Sequence, residues 1–375
     1  MIPFNRATVT ESDVENLRAA VEAGHISGDG AYSLRCAALL EKELGVGKAL
    51  LTTSCTHALE MAAFLLDIGR GDEVIVPSFT FVSTANAFVL RGATPVFSDI
   101  RDDTLNLDEG GLEALITPRT KAIVPVHYGG IGCEMDAICE VAREHGIGVV
   151  EDNAHGLFGK YRGRYLGTFG ALATLSFHET KNFTCGEGGA LLVNDPRLVE
   201  RAEIIREKGT DRTRFFRGEV DKYTWVDLGS SYVLSDLLAA ILSGQLERRQ
   251  EIQERRKRIF DRYREGLRDW AEPRGVGLPL VPPHCESAYH LFYLRLPDLR
   301  TRDRLIAWLR RREILSVFHY LPLHASPIAG RLGWQSGECP VAMRVSERLL
   351  RLPFFTELSG ADQERVIDAV RSFSL

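Results

Sequence analysis

Two short apolar runs flank the stretch Ser176-Phe177-His178-Glu179-Thr180-Lys181-Asn182. Residues 170–175 precede it, and residues 190–193 follow the glycine run Gly186-Glu187-Gly188-Gly189. Both runs are partly β-branched, which predicts two buried strands. The pattern therefore predicts a loop that carries a lysine at the end of a strand. A desolvated lysine has a depressed pKa and a nucleophilic amine that forms a Schiff base with an aldehyde. A solvated surface charge is the alternative, which only the rest of the chain can exclude.

The composition of the 375 residues is that of a folded globular protein, with 45% hydrophobic and 26% charged residues. The length predicts one large domain and one smaller domain. The net charge of -5 gives no basic excess for nucleic-acid binding. The N-terminus lacks the cationic start and apolar core of a secretion signal, and no later stretch is long and uncharged enough to cross a bilayer. These features predict a cytoplasmic protein.

Seven cysteines and ten histidines are scattered along the chain. The cysteines are odd in number and lack paired CxxC spacing, which predicts reduced thiols rather than a disulfide framework. The histidines lack HExxH and related spacings, so no metal site is predicted.

Strand patterns alternate with helical patterns through the first half of the chain. The predicted strands cover residues 48–53, 73–76, 96–100, 122–126 and 148–151. The predicted helices cover residues 11–25, 31–44, 57–66, 83–91, 110–116, 135–145 and 198–208. Repeated strand–helix units with short apolar strands predict an α/β fold with a mostly parallel sheet covered by helices.

The second half begins with a long helical pattern from Ser235 that runs into a charged stretch, residues 247–258. Its mixed signs favour a solvated helix face between two domains over an RNA-binding patch. A Gly/Pro-rich connector at 273–283 follows. The later pattern predicts a small α/β domain, with strands at 290–296 and 314–319 and helices at 302–312, 345–350 and 363–373. We predict a division into residues 1–245 and 246–375, in which the N-terminal helix could pack on the small domain.

Ligand sites in such sheets lie at the carboxyl ends of the strands. The predicted strand ends bring together Ser78 to Phe81, His127-Tyr128, Asp152 with His155, and Ser176 to Lys181, beside the turn Ser54-Cys55-Thr56. A turn that opens a helix can bind an anion through free N–H groups and the helix dipole. A plain N-cap by Ser54 or Thr56 is the alternative. No GxGxxG follows the first strand, so a dinucleotide site is poorly supported.

These residue types match the demands of pyridoxal 5'-phosphate. Lys181 would hold the aldehyde, and its displaced amine would act as a base. Asp152 would pair with the ring nitrogen; a helix N-cap is its alternative role. Phe81 would stack on the ring unless it belongs to the core. His155 would form a hydrogen bond with the phenolic oxygen of the cofactor. Its alternative role is that of a polar residue whose hydrogen bonds are made within the protein.

Several ordered motifs resemble the DegT/DnrJ/EryC1/StrS sugar aminotransferases. They are Gly71-Asp72-Glu73-Val74, Ser78-Phe79-Thr80-Phe81, Glu151-Asp152-Asn153-Ala154-His155, the Lys181 stretch and the glycine run. The resemblance runs from Gly28 to the C-terminal helices. It implies the fold type I aminotransferase architecture, with a mostly parallel sheet of the seven-stranded type and a smaller C-terminal α/β domain. It also implies a homodimer with shared active sites. Some relatives carry histidine in place of the lysine and catalyse dehydration, which Lys181 argues against here.

Further stretches resemble the branch of the family that makes dTDP-4-amino-4,6-dideoxygalactose. They are residues 55–56, 215–218, 221–225, 229–232, 317–320 and 347–353. This resemblance implies amine transfer from L-glutamate to C4 of a dTDP-4-keto-6-deoxy sugar, through a pyridoxamine form of the cofactor.

The resemblance also implies a role for single residues. Lys181 corresponds to the Schiff-base lysine, Asp152 to the partner of the ring nitrogen and Phe81 to the stacking aromatic. The phosphate donors correspond to Cys55, Thr56 and Ser176. Many members have an asparagine at Ser231 that reaches the phosphate site of the neighbouring subunit, and the serine hydroxyl is shorter.

Two stretches are candidate walls for the sugar and its diphosphate. They are the loop near residues 212–217 and the stretch 318–324, which contains Tyr320 and His324. Interface packing is the alternative for both stretches.

Two other functional classes are alternatives to a sugar aminotransferase. Another enzyme of the same fold, such as an amino-acid lyase or a sugar aminotransferase acting at another position, is the near alternative, because only the sugar-family motifs argue against it. A cofactor-binding regulatory module needs a partner domain, and no stretch of the chain predicts a helix-turn-helix.

Overall fold

A computed structural model describes residues 1–334 and 338–374. The α-helices are α1 Glu11–Glu22, α2 Ala31–Leu44, α3 Cys55–Leu65, α4 Val82–Val89, α5 Leu112–Leu115, α6 Met135–His145, α7 Val199–Arg206, α8 Arg212–Phe216, α9 Asp236–Glu247, α10 Arg249–Ala271, α11 Leu299–Arg310, α12 Pro327–Leu332, α13 Pro340–Arg348 and α14 Gly360–Arg371. The strands are β1 Lys48–Thr52, β2 Glu73–Pro77, β3 Thr94–Ser98, β4 Thr120–Ile123, β5 Gly148–Asp152, β6 Lys160–Tyr161, β7 Arg164–Tyr165, β8 Leu172–Ser176, β9 Gly189–Val193, β10 Cys285–Glu286, β11 Tyr293–Arg295, β12 Val317–Phe318 and β13 Leu349–Arg351.

A seven-stranded sheet forms the centre of the fold, in the order β1-β9-β8-β5-β4-β2-β3. The pairs from β3 through β8 are parallel, whereas β9 is antiparallel to both of its neighbours. The predicted α/β class with a mostly parallel sheet is confirmed. Parallel order requires each connection to return along a face of the sheet, which brings the loops after β2, β5 and β8 to one edge.

Local sequence explains where the elements near that edge begin and end. The Ser54 hydroxyl accepts the N–H of His57 at 3.1 Å, so α3 begins directly after β1. Gly45 ends α2 with a φ of 70°, a left-handed conformation that glycine adopts without strain. Every residue of β2 is buried, as expected for a central parallel strand.

A second, smaller sheet has the order β11-β13-β12 and is antiparallel. It packs with α10, α11 and α14 around its own hydrophobic core. Ile2 joins this core through a bridge to Ile314, whereas α1 packs along α9, where Asp13 pairs with Arg248 at 2.7 Å. The predicted division at residues 245/246 lies inside α9, and it stays a prediction.

Several predicted elements differ in the structure. The helix predicted at 345–350 is wrong at its end, because α13 stops at Arg348 and residues 349–351 form β13. The apolar run Leu349 to Leu352 pairs with two strands, and these contacts override its helical spacing. The stretch near residues 212–217, which was predicted as a loop, forms the short helix α8. Within the described residues, no helix is long and apolar enough to cross a membrane.

Candidate active site

The loop that carries Lys181 connects two adjacent antiparallel strands, β8 and β9. Its backbone is closed by bonds from Phe177 N–H to the Gly188 carbonyl and from Glu179 N–H to the Gly186 carbonyl, each 2.8 Å. The Lys181 N–H donates to the His178 carbonyl at 2.9 Å, which turns the chain back toward the sheet. The predicted lysine-bearing loop at the end of a strand is therefore present.

A cavity of about 590 Å³ lies at the carboxyl edge of the sheet beside this loop. It brings together eight of the residues predicted for the site, which are Cys55, Thr56, Phe81, Asp152, His155, Ser176, Lys181 and Tyr320. These residues come from five separate segments of the chain. Their convergence excludes the surface-charge interpretation of Lys181.

The amine of Lys181 has a lowered pKa. Burial lowers the pKa of Lys181 to about 8, and the positive charge of Arg351 acts in the same direction. Electrostatic interactions with Cys55 and Asp152 act against this shift. A larger fraction of the amine is therefore neutral near physiological pH, and the neutral amine is the nucleophilic form.

Asp152 ends β5 with a side chain that is only 5% exposed. Its Oδ2 accepts the Thr84 hydroxyl at 2.7 Å, and its Oδ1 accepts the Ala154 N–H at 3.2 Å. Burial raises the pKa of Asp152 against these two hydrogen bonds. No ion pair within the described residues includes it. The Ala154 contact is a turn rather than an N-cap, because no helix follows.

The N-terminus of α3 opens into the same cavity. Cys55 and Thr56 are its first residues, so their N–H groups have no partner in the preceding turn of helix. The Thr56 hydroxyl meets that of Ser83 at 2.8 Å. Gly189 allows β9 to approach this turn, because a Cβ there would overlap the Cys55 nitrogen. Both predicted roles therefore hold for this turn: Ser54 caps α3, and the N–H groups of Cys55 and Thr56 stay available for an anion.

Aromatic and histidine rings line the remaining walls. Phe81 is 57% exposed, so it does not belong to the core. His155 stacks on His290 with ring centroids 4.1 Å apart. Burial holds the pKa values of His155, His290 and His319 well below the ordinary range, so these rings are neutral near pH 7.

Two predicted residues lie elsewhere. Ser231 is exposed and lines a second cavity of about 680 Å³ beside α8, not the Lys181 cavity of its own chain. His324 lies behind the wall, where its Nδ1 meets the Ser78 hydroxyl at 2.5 Å. Neither side chain lines the Lys181 cavity.

Several lining residues have no role in the sequence-based prediction, among them Phe4, Thr84 and His290. His319 and Arg351 lie in the stretches 317–320 and 347–353, but no role was predicted for either side chain. Only Arg351 has a sequence pattern that could have predicted its place in the cavity. A charged residue inside the apolar run 349–352 has to point toward a partner or a cavity.

A family model described as the DegT/DnrJ/EryC1/StrS aminotransferase family matches residues 7–371. The spore coat polysaccharide biosynthesis protein SpsC of Bacillus subtilis (strain 168) is 35% identical, over 99% of this chain and 96% of SpsC. The crystal structure of the aminotransferase TlmJ from Streptoalloteichus hindustanus has a TM-score of 0.91 and 34% identity, and the match covers 99% of this chain and 98% of TlmJ. Spr1654 from Streptococcus pneumoniae, in its PMP form, has a TM-score of 0.92 and 29% identity over 99% of this chain and 98% of its own. The predicted fold type I aminotransferase architecture is confirmed.

Aminotransferases of this family use pyridoxal 5'-phosphate, which confirms the predicted cofactor. When bound, it supplies an aldehyde for amines and an electron sink for the carbon next to them. The cavity fits this group in three respects. Lys181 has an amine with a lowered pKa, and Asp152 is a buried carboxylate that forms no ion pair within the described residues. The start of α3 has free N–H groups for a phosphate.

Proposed function

This chain belongs to the DegT/DnrJ/EryC1/StrS aminotransferase family, and we propose that it transfers the amino group of L-glutamate to C4 of a dTDP-4-keto-6-deoxyhexose. The product is dTDP-4-amino-4,6-dideoxygalactose, for a cell-surface polysaccharide such as the O-antigen of lipopolysaccharide. The stretches 215–218, 221–225, 317–320 and 347–353, which resemble the transaminases of this sugar, support the choice of substrate. The name of SpsC, a polysaccharide biosynthesis protein, agrees with it. We propose the cytoplasm as the location, as the sequence predicts.

One observation carries the proposal. A lysine amine with a lowered pKa and a buried carboxylate without an ion pair share one cavity at a helix N-terminus. Lys181 would hold the cofactor aldehyde, and Asp152 would keep its ring nitrogen protonated. Phe81 would stack on the ring, and His155 would form a hydrogen bond with the phenolic oxygen. Cys55, Thr56 and Ser176 would hold the phosphate.

Lys181 then also moves the proton. With the cofactor bound, the Lys181 amine would lie in the same cavity as the donor carbon and would accept the proton that this carbon loses. A pKa of about 8 makes the amine a usable base near neutral pH. The rings of His155, His290 and His319 are neutral and surround the amine without competing for that proton.

A homodimer with shared active sites is part of the proposal. Phe216 and Trp225 are 70% and 75% exposed on the surface around α8, where an apolar patch favours a protein contact. Ser231 and the second cavity lie beside this surface. In the dimer, Ser231 reaches the phosphate site of the neighbouring subunit. Tyr320 lines the Lys181 cavity and would contact the sugar of the substrate. His324, the second predicted substrate residue, lies behind this side of the cavity, next to Ser78.

Absorbance spectroscopy tests the reaction in steps. The purified protein is loaded with pyridoxal phosphate, then mixed with L-glutamate, and afterwards with dTDP-4-keto-6-deoxyglucose. We expect glutamate to remove the absorbance band of the bound cofactor and the keto sugar to restore it, with NMR giving the product stereochemistry. A band that glutamate leaves unchanged would discard this donor and favour the lyase class.

Lys181→Ala gives the matching genetic test. We expect a folded protein without turnover and without the absorbance band of the covalently held cofactor. Lys121→Ala is the control, because Lys121 is exposed on β4, and its loss is expected to change nothing. Substantial turnover by Lys181→Ala would refute the assignment.

A further inference from the structure

A third cavity lies outside the candidate active site, where α13 meets the small sheet. Its volume is about 370 Å³, and residues 275–277 form part of its lining. This volume is within the roughly 300–1,000 Å³ of typical small-molecule sites. The charged residues of the lining are three arginines and one carboxylate, namely Arg295, Arg344, Arg348 and Asp102. The cavity is therefore large enough for a small ligand and has an excess of positive charge.

Asp102 compensates only part of that charge. Its Oδ2 lies 3.0 Å from the Nη1 of Arg295, and its Oδ1 accepts a hydrogen bond from the Nη2 of Arg344 at 3.3 Å. The guanidinium of Arg348 forms neither an ion pair nor a hydrogen bond within the part of the chain that the structure describes. The Nε of Arg295 is buried and has no hydrogen-bond partner there either. One carboxylate thus faces three cations.

The fold holds these arginines close together. Arg344 and Arg348 are one turn apart on α13, so their side chains lie on the same side of the helix. The Leu296 N–H donates to the Arg348 carbonyl at 2.9 Å, which fixes the end of α13 beside β11 and its Arg295. Gly277 pairs with Arg295, and a Cβ at this glycine would lie 2.7 Å from the Arg295 Nε. The absence of a side chain at Gly277 therefore leaves room for the guanidinium.

The helix dipole explains only one of the three cations. A positive charge is favourable near the C-terminus of a helix, which accounts for Arg348 in the last turn of α13. It does not account for Arg295, which a strand brings to the same cavity. Like charges one turn apart on a helix repel each other, so Arg344 and Arg348 destabilise α13 unless an anion lies between them.

We propose that this cavity binds the phosphate group of a small metabolite. Guanidinium groups bind phosphate oxygens through paired N–H donors, and a phosphate monoester carries close to two negative charges at neutral pH. That charge matches three arginines opposed by one carboxylate. None of the described lining residues is aromatic, so a nucleobase would have no ring to stack on. The ligand is therefore inorganic phosphate or a sugar phosphate rather than a nucleotide.

Isothermal titration calorimetry tests this site with inorganic phosphate and with glucose 1-phosphate. The protein is first loaded with pyridoxal phosphate, so that the cofactor occupies the phosphate position proposed at the start of α3. We expect the wild type to bind, and Arg348→Gln to bind at least about tenfold more weakly. Arg311→Gln is the matched control and should bind like the wild type, because Arg311 is exposed at the end of α11, outside the cavity. Tighter binding of glucose 1-phosphate would identify a sugar phosphate as the ligand, whereas equal binding would identify the phosphate group alone.

Arg344→Gln covers the case in which Arg348→Gln does not fold, and circular dichroism checks the folding of each variant. It removes the other arginine of α13, so we expect a loss of phosphate affinity in the same direction. Unchanged affinity in the folded variants would overturn the assignment, because the phosphate would then bind elsewhere. An equal loss in Arg311→Gln would also overturn it, since the effect would then follow the net charge of the protein. So would the absence of saturable binding to the wild type.

Discussion

Glu151→Gln is expected to destabilise the sheet next to the cavity. Glu151 is fully buried in β5, directly before Asp152. Its Oε1 accepts the N–H groups of Phe169 and Gly170 at 2.6 and 2.8 Å. Its Oε2 accepts the N–H of Gly167 at 2.7 Å and the Nε2 of His127 at 2.9 Å. The carboxylate thus holds the loop that leads into β8, the strand that ends at Ser176.

The glutamine amide cannot replace these four contacts. Whichever way it is turned, its NH2 group faces two N–H donors. His127 cannot relieve the conflict by changing tautomer, because its Nδ1 already accepts the N–H of Cys133 at 3.2 Å. Two buried donors therefore lose their acceptor, at about 1–3 kcal/mol each. We expect a loss of about 2–6 kcal/mol, a large part of the ~5–15 kcal/mol that holds a typical domain folded.

Urea denaturation of the cofactor-free protein, followed by circular dichroism, measures this loss as a lower midpoint. Glu113→Gln is the matched control, because that side chain is 59% exposed beside His145 and its change should stay within about 0.5 kcal/mol. A loss below about 1 kcal/mol in Glu151→Gln would refute the reasoning, since it would mean that the buried donors find other acceptors.

Two further predictions concern capture of the cofactor. The neutral amine of Lys181 is the nucleophile and its pKa is lowered to about 8, so the rate of pyridoxal phosphate capture should rise about tenfold per pH unit below pH 8 and level off above it. Stopped-flow absorbance measures this profile, and a rise that continues to the ordinary lysine pKa of 10.5 would contradict it. Gly189→Ala places a methyl group 2.6 Å from the Ser54 carbonyl oxygen, which displaces the α3 turn, so equilibrium dialysis should show cofactor retention at least about tenfold weaker. Gly69→Ala, whose Cβ meets no described atom within 4 Å, is the control, and equal retention by the two variants would move the phosphate site away from this turn.

The parts of the fold that the sequence predicts are those with a strong local pattern. Continuous apolar runs bounded by turns identify β2, β5, β8 and β9 to within two or three residues. The rule that parallel strands end at one edge then brings Asp152 and Lys181 together, although they are separated by 29 positions along the chain. The strand-end residues of the cavity were therefore predictable before any distance was known, without a predicted strand order.

The remaining features depend on tertiary contacts that leave no local pattern. The two-residue strands β6, β7 and β10 are too short to show a period. The run at 349–352 fits a helix and a strand equally, and only its pairing with β11 and β12 decides. Arg351 enters the cavity as a consequence of that pairing. Phe4 reaches the cavity because the bridge of Ile2 to Ile314 fixes the N-terminus against the second sheet.

The charges that line the cavity bear on the two substrates of the proposed reaction. Among the described lining residues, Lys181 and Arg351 are cations and Asp152 is the buried carboxylate, whereas the side chain of Glu187 is 67% exposed. When bound, the cofactor would bring its ring nitrogen to Asp152 and its phosphate to the start of α3. The sugar of the proposed reaction is uncharged at C4, so the aromatic and histidine side chains of the cavity would have to position it.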